Sequence, residues 1–191
     1  MDAVAVLQKA LALMEDVPAP YTEVPEYRQT LAHICQGLAD AFFENGEDDR
    51  VEKPLQTSLE LFTALTNEFP DVKRYRVGLG RSHYLRAVLQ NERGQPEAAR
   101  QTLERVLAVA GPIETPASER SPLIGLLART YTGLADLETR LGETSLADQA
   151  AAKAKAFWAA QDAGPFKQPD GKLRDPWASD RRLKHPRGDT D

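Results

Sequence analysis

Apolar residues recur at steps of three and four through most of this chain, the spacing that gathers them on one face of an α-helix. Tyr27, Leu31, Ile34, Leu38 and Phe42 make one such face, and Val51, Leu55, Leu59 and Phe62 make the next. The punctuation between faces agrees. Gly46, Gly94 and Gly142 stand where a helix C terminus wants a residue free to take positive φ. Pro96 opens a helix, and Ser121-Pro122 reads as an N-cap followed by proline in the first turn. Glu68-Phe69-Pro70-Asp71 ends one helix and offers Asp71 as the cap of the next. These signals predict helices over 2–16, 25–45, 48–67, 72–93, 96–110, 120–141 and 144–162, with a longer connector at 111–119. The predicted fold class is all-α.

The helices repeat. Tyr27-Arg28 and Tyr75-Arg76 lie 48 residues apart, and the same offset aligns Val24 with Val72, Leu31 with Leu79 and Ala39 with Ala87. It also aligns Glu44 with Glu92, Gly46 with Gly94, Leu55 with Leu103 and Leu59 with Leu107. A third copy follows, pairing Leu79 with Leu127, Arg81 with Arg129, Ala87 with Ala135, Gly94 with Gly142 and Ala99 with Ala147. Read backwards, Leu55, Leu59 and Leu61 fall on Leu7, Leu11 and Leu13, so residues 1–17 read as the second helix of an earlier unit. A capping helix and a piece of a longer array both fit that half-repeat. The expected organisation is one helical repeat domain over 1–163, with units at 24–71, 72–119 and 120–163, and a disordered tail at 164–191. Each unit is a helical hairpin, and stacking hairpins into an α-solenoid buries faces that no hairpin buries alone.

Small residues mark where the hairpins close. Ala39, Ala87 and Ala135 each precede the turn glycine by seven residues, and Val51, Ala99 and Ala147 follow it by five. This arrangement resembles the tetratricopeptide repeat family over residues 24–162, in a degenerate form of long period. Leu38 and Leu134 precede their alanines as in that family, but Arg86 takes the place in the second unit. The family's early aromatic is present as Tyr131, with Cys35 and His83 at the equivalent places, and Leu55, Leu103 and Ala151 replace the aromatic of the second helix. Similar arrays occur in bacterial repeat proteins, some of them attached to serine/threonine kinases.

The resemblance implies a concave face lined by the first helices, where such arrays take peptides. Its register implies His33, Gln36, Asp40 and Phe43 from the first unit and Arg81, Tyr84, Val88 and Asn91 from the second. Arg129, Thr132, Asp136 and Thr139 come from the third. Arg81 and Arg129 share one stripe, and guanidinium groups suit carboxylates or phosphates. Asp40, Val88 and Asp136 hold the places where chaperone-binding members carry asparagine, so a chaperone-tail clamp is not implied.

Composition narrows the chemistry. A formal net charge of -5 disfavours a nucleic-acid partner. The single cysteine, Cys35, excludes an intrachain disulfide and leaves a structural zinc site almost nothing to start from. Cys35 is expected to be a buried structural residue, since His33 two residues away points elsewhere on a helix. No stretch of the sequence reaches eighteen apolar residues and no signal peptide is read, so a cytoplasmic chain without membrane contact is expected. No phosphate loop, nucleophile elbow or zinc-protease motif occurs, and neither cofactor nor metal is expected. Asp48-Asp49 reads as a solvated turn, and the tyrosines of the Tyr-Arg pairs are expected to pack while their arginines face solvent. Phe157 and Trp158 are expected to cap the last apolar face; Trp177 stands apart in a basic, proline-rich tail.

The expected function is a protein–protein interaction scaffold taking a peptide or partner protein on its concave face. The alternative is a regulatory or structural C-terminal piece of a larger repeat protein, such as a kinase-linked array. An enzyme is a distant third, because nothing predicts convergent titratable groups in a dry pocket.

Overall fold

The computed structural model describes residues 3–111 and 122–162, and all that follows concerns those residues. They form eight helices: α1 Ala3–Glu15, α2 Ala19–Thr22, α3 Pro25–Glu44, α4 Asp48–Glu68, α5 Lys73–Glu92, α6 Pro96–Ala110, α7 Pro122–Leu141 and α8 Thr144–Asp162. Seven lie where the periodicity places them, with ends shifted by at most two residues. The eighth, α2, lies outside the predicted helices, a single turn between Pro18 and Glu23. Expectations for most of the 111–119 connector, for Ser121 as a cap and for the 164–191 tail with Trp177 lie outside the described residues.

The chain divides into two compact units, Met1–Pro112 and Ile113–Asp191. In the first, α3 pairs with α4 and α5 with α6, α4 packs on α5, and α3 also touches α5. Helix α1 packs on α3 as α4 packs on α5, the relation expected of a second helix from a preceding hairpin. In the second unit α7 pairs with α8. The chain is therefore built of consecutive helix pairs.

Each long hairpin turns on the same local device. Gly46, Gly94 and Gly142 take φ of 77°, 72° and 84°. The N–H of the residue after each glycine reaches back into the last turn: Glu47 to Phe42 O at 2.9 Å, Gln95 to Gln90 O at 2.9 Å and Glu143 to Glu138 O at 2.8 Å. Each glycine N–H donates to the residue three before it, completing the paired bonds that close a helix through a left-handed residue. The turn recurs because glycine recurs at the period.

Val51, Leu55, Leu59 and Phe62 are all buried, as their spacing predicts. Full burial of such side chains stabilises by about 1.5–3 kcal/mol each. Of the six small residues marking hairpin closure, Ala39, Val51, Ala87, Ala99 and Ala147 are buried and Ala135 is half-buried. On α3 the buried side has rotated from the predicted face. Leu38 and Phe42 are buried, Tyr27, Leu31 and Ile34 are half-buried, and Ala32, Cys35, Gln36, Ala39 and Phe43 complete the buried set. The reason is that α1 covers one flank of α3 while α4 and α5 cover others.

The Tyr-Arg pairs depart from expectation in the arginine. Tyr75 is 2% exposed, and Tyr27 donates its hydroxyl to Met14 O at 2.8 Å at the end of α1. Arg28 does not face solvent: its side chain is 17% exposed and pairs with Glu68 at 2.6 Å, at the last residue of α4. Arg76 is half-buried, and its guanidinium lies by Gly111 at the end of α6. Both arginines thus reach the C terminus of their own hairpin's second helix, where a cation meets the negative end of the helix dipole. Two smaller expectations also change. Val72 rather than Asp71 occupies the N-cap of α5, in extended conformation and without a side-chain cap. Asp48 and Asp49 fall in the first turn of α4, where acidic residues suit the positive helix end.

Candidate functional site

Where α3 runs beside α5, three of the expected groove residues come together at the surface. Arg81 Nη2 lies 3.3 Å from Asp40 Oδ2, both side chains well exposed. His33 sits about two turns earlier on α3, its ring edge-on to Phe62 with centroids 5.0 Å apart. Partial burial lowers its pKa, the Arg81 charge lowers it further, and a hydrogen bond with Gln36 opposes both. Further along the same seam Arg74 Nε donates to Gln29 Oε1 at 3.0 Å. At this exposure the Asp40–Arg81 pair contributes at most about 1 kcal/mol.

Four of the expected groove residues are not at the surface. Gln36, Phe43, Tyr84 and Val88 are buried, at 2%, 5%, 7% and 1% exposure. The correction follows from what surrounds α5: α3, α4 and α6 all pack on it, so it is buried round most of its circumference and has no wide free stripe. Gln36 serves the interior instead. Its Nε2 donates to Gly78 O at 3.1 Å and to Ser82 Oγ at 2.8 Å, and Ser82 Oγ lies 2.8 Å from Ser58 Oγ. This buried polar link joins α3, α4 and α5. Gly78 also makes room for the Phe62 ring, which a methyl group there would overlap. A glutamine opposite Gly78, Ser82 and Ser58 was the available sequence signal, but only the packing shows that they meet. Asn91 is half-buried in the last turn of α5, where its carbonyl accepts the Gly94 N–H.

The remaining expected residues belong to the second unit. Thr132 accepts a hydrogen bond from Trp158 Nε1 at 3.1 Å and donates to Ala128 O at 2.9 Å, so its hydroxyl is engaged within the hairpin. Beside it Tyr131 stacks on Phe157 with centroids 5.6 Å apart, and Lys153 lies over the Tyr131 ring. Phe157 and Trp158 do pack back on α7. Asp136 pairs with Arg140 at 3.7 Å, Thr139 donates to Ala135 O at 2.7 Å, and Arg129 is half-buried.

A second feature, open to solvent, lies between α4 and α5. It is a cleft of about 460 Å³ with Leu59 and Ala64 in its apolar wall and Gln56, Glu60, His83 and Arg86 around it. Arg86 Nη2 donates to Gln56 Oε1 at 2.6 Å, and Gln56 Nε2 donates to Glu60 Oε1 at 2.6 Å. Burial lowers the His83 pKa to about 4, with the charges of Arg86 and Arg105 adding to the effect. The imidazole is therefore neutral at pH 7. Its Nδ1 is buried with no hydrogen-bond partner among the described residues.

Cys35 is buried and carries a free thiol. No group of three or more His, Cys, Asp or Glu among the described residues is placed to hold a metal ion. No described helix is long and apolar enough to cross a membrane.

No protein-family model, curated protein or solved structure matches the chain. Its class is that of an all-helical protein of sequentially packed helix pairs.

Proposed function

We propose that this chain is a protein-interaction scaffold rather than an enzyme. In this reading its hairpins stack as a tetratricopeptide-like α-solenoid, and the surface seam where α3 meets α5 at His33, Asp40 and Arg81 takes a peptide or partner protein. The observation that supports it is the side-by-side placement of two first helices, which puts His33, Asp40 and Arg81 together on one accessible surface. Arg81 is bound to Asp40 by a solvent-exposed pair, and such a pair is weak enough for the guanidinium to meet a partner's carboxylate. A row of hairpins extends such a face from unit to unit, which is how repeat scaffolds offer long binding surfaces.

The test is affinity capture from the native cell extract with the full chain, comparing wild type with His33→Ala, Arg81→Ala. Both positions are exposed, so the double variant should fold normally and lose the captured partner. Capture that is identical with the variant would remove this face from consideration. Tyr84 is unsuitable as a probe, since it is buried and its loss would report packing instead.

A further inference from the structure

Helix α1 carries two apolar stripes, and the fold covers one of them. Val4, Leu7, Leu11 and Met14 recur at helical spacing on the side towards α3, where Leu7 lies against Gly37. Val4 is buried and the other three are half-buried. Ala3, Val6, Ala10 and Leu13 recur at the same spacing, about a quarter-turn round the helix. Ala10 is half-buried, but Ala3 is exposed, as are Val6 at 48% and Leu13 at 64%. One period on, the same places on α4 are Val51, Pro54, Ser58 and Leu61, all buried or half-buried. The neighbours make the difference. Helix α4 is held by both α3 and α5, whereas among the described residues α1 packs on α3 alone.

The uncovered stripe is complementary to itself. Ala3 and Leu13 stand equally far from Gln8 at the helix centre, and so do Val6 and Ala10. Two copies of α1 laid antiparallel about a two-fold axis at Gln8 therefore set Ala3 against Leu13 and Val6 against Ala10. A small side chain meets a large one at each level, and each contact occurs twice, as a two-fold interface requires. No described charge stands on the stripe, since Lys9 lies on its flank. We infer that this stripe is a self-association surface, on which α1 of a second copy of the chain docks antiparallel to α1. The incoming helix continues the α1–α3 contact, much as α3 accompanies α4 beside α5 one period on. The inference is independent of the scaffold reading. Four side chains cover less than the roughly 800 Å² per partner of a stable complex, so the dimer is weak and reversible.

The experiment is analytical ultracentrifugation of the full chain at concentrations up to about 1 mM, where so small a contact becomes populated. The wild type should show a reversible monomer–dimer equilibrium. Leu13→Glu and Val6→Glu, each at an exposed position, should weaken it about tenfold or more, because each places an unpaired carboxylate in the contact. Circular dichroism of both variants in dilute solution should match the wild type, which separates lost association from lost folding. Disulfide trapping reads the register, since Cys35 is buried and does not compete. Ala3→Cys mixed with Leu13→Cys should link one chain of each, well above either variant alone. A chain that stays monomeric throughout would overturn the inference and give the stripe to a different occupant. A dimer indifferent to both glutamates, or cysteine variants that link each to itself, would overturn it equally.

Discussion

Gly94 ends α5 at a φ of 72° with open space where a Cβ would stand. Gly94→Ala therefore tests backbone strain alone, free of any clash. An L-residue in this region costs roughly 1 kcal/mol or slightly more. The expected result is a melting temperature lower by about 2–4 °C for a chain of this size. Gly94→Asn should cost less, because asparagine tolerates the left-handed region; equal losses from the two would contradict the strain account. This residue was legible in the sequence because a glycine repeated at a helical boundary has a local cause. Arg28 was not. Its repetition with Arg76 was plain, but a burial partner 40 positions away, Glu68, is a tertiary fact. The same holds for Gln36, which the register of the resemblance placed in a groove and whose hydrogen bonds lead through Ser82 on α5 to Ser58 on α4.

At the scale of the element, α4 and α5 fit through one large-small pair. Phe62 is fully buried, and its ring occupies the space over Gly78. Gly78→Ala should destabilise by about 1–3 kcal/mol, the usual cost of overpacking a rigid core site. Phe62→Leu in the same chain should recover part of the loss, giving a coupling visible in a double-mutant cycle by chemical denaturation. Simple additivity would mean the two helices do not meet as described. Neither residue keeps its type at the 48-residue offset: Thr30 and Leu126 correspond to Gly78, and Met14 and Ala110 to Phe62. Repeat alignment is therefore blind to the pair. Helix positions came through well, since seven of the eight elements follow from periodicity, proline and glycine. The single-turn α2 did not, being too short to show a period. The groove register on α5 also failed at Tyr84 and Val88, because three neighbours cover a helix that the resemblance leaves open on one side.

At the scale of the whole molecule, the solenoid reading makes equivalent turns equivalent in space. Gln95 and Glu143 are exposed, and they stand one period apart, as do Glu47 and Gln95 within the first unit. Spin labels at Gln95 and Glu143 should give a narrow distance distribution like that of labels at Glu47 and Gln95. A broad distribution, or one much longer, would remove the solenoid while leaving the hairpins intact. By itself the sequence determined what is local: which segments are helical, where they stop, and that hairpins recur. Helical periodicity and a left-handed glycine act within a few residues, so they are written in order along the chain. Only the tertiary structure decided which polar groups are interior, which arginine closes which helix end, and that an open cleft forms between α4 and α5. Those outcomes depend on several helices covering one another, and burial is a property of all of them together.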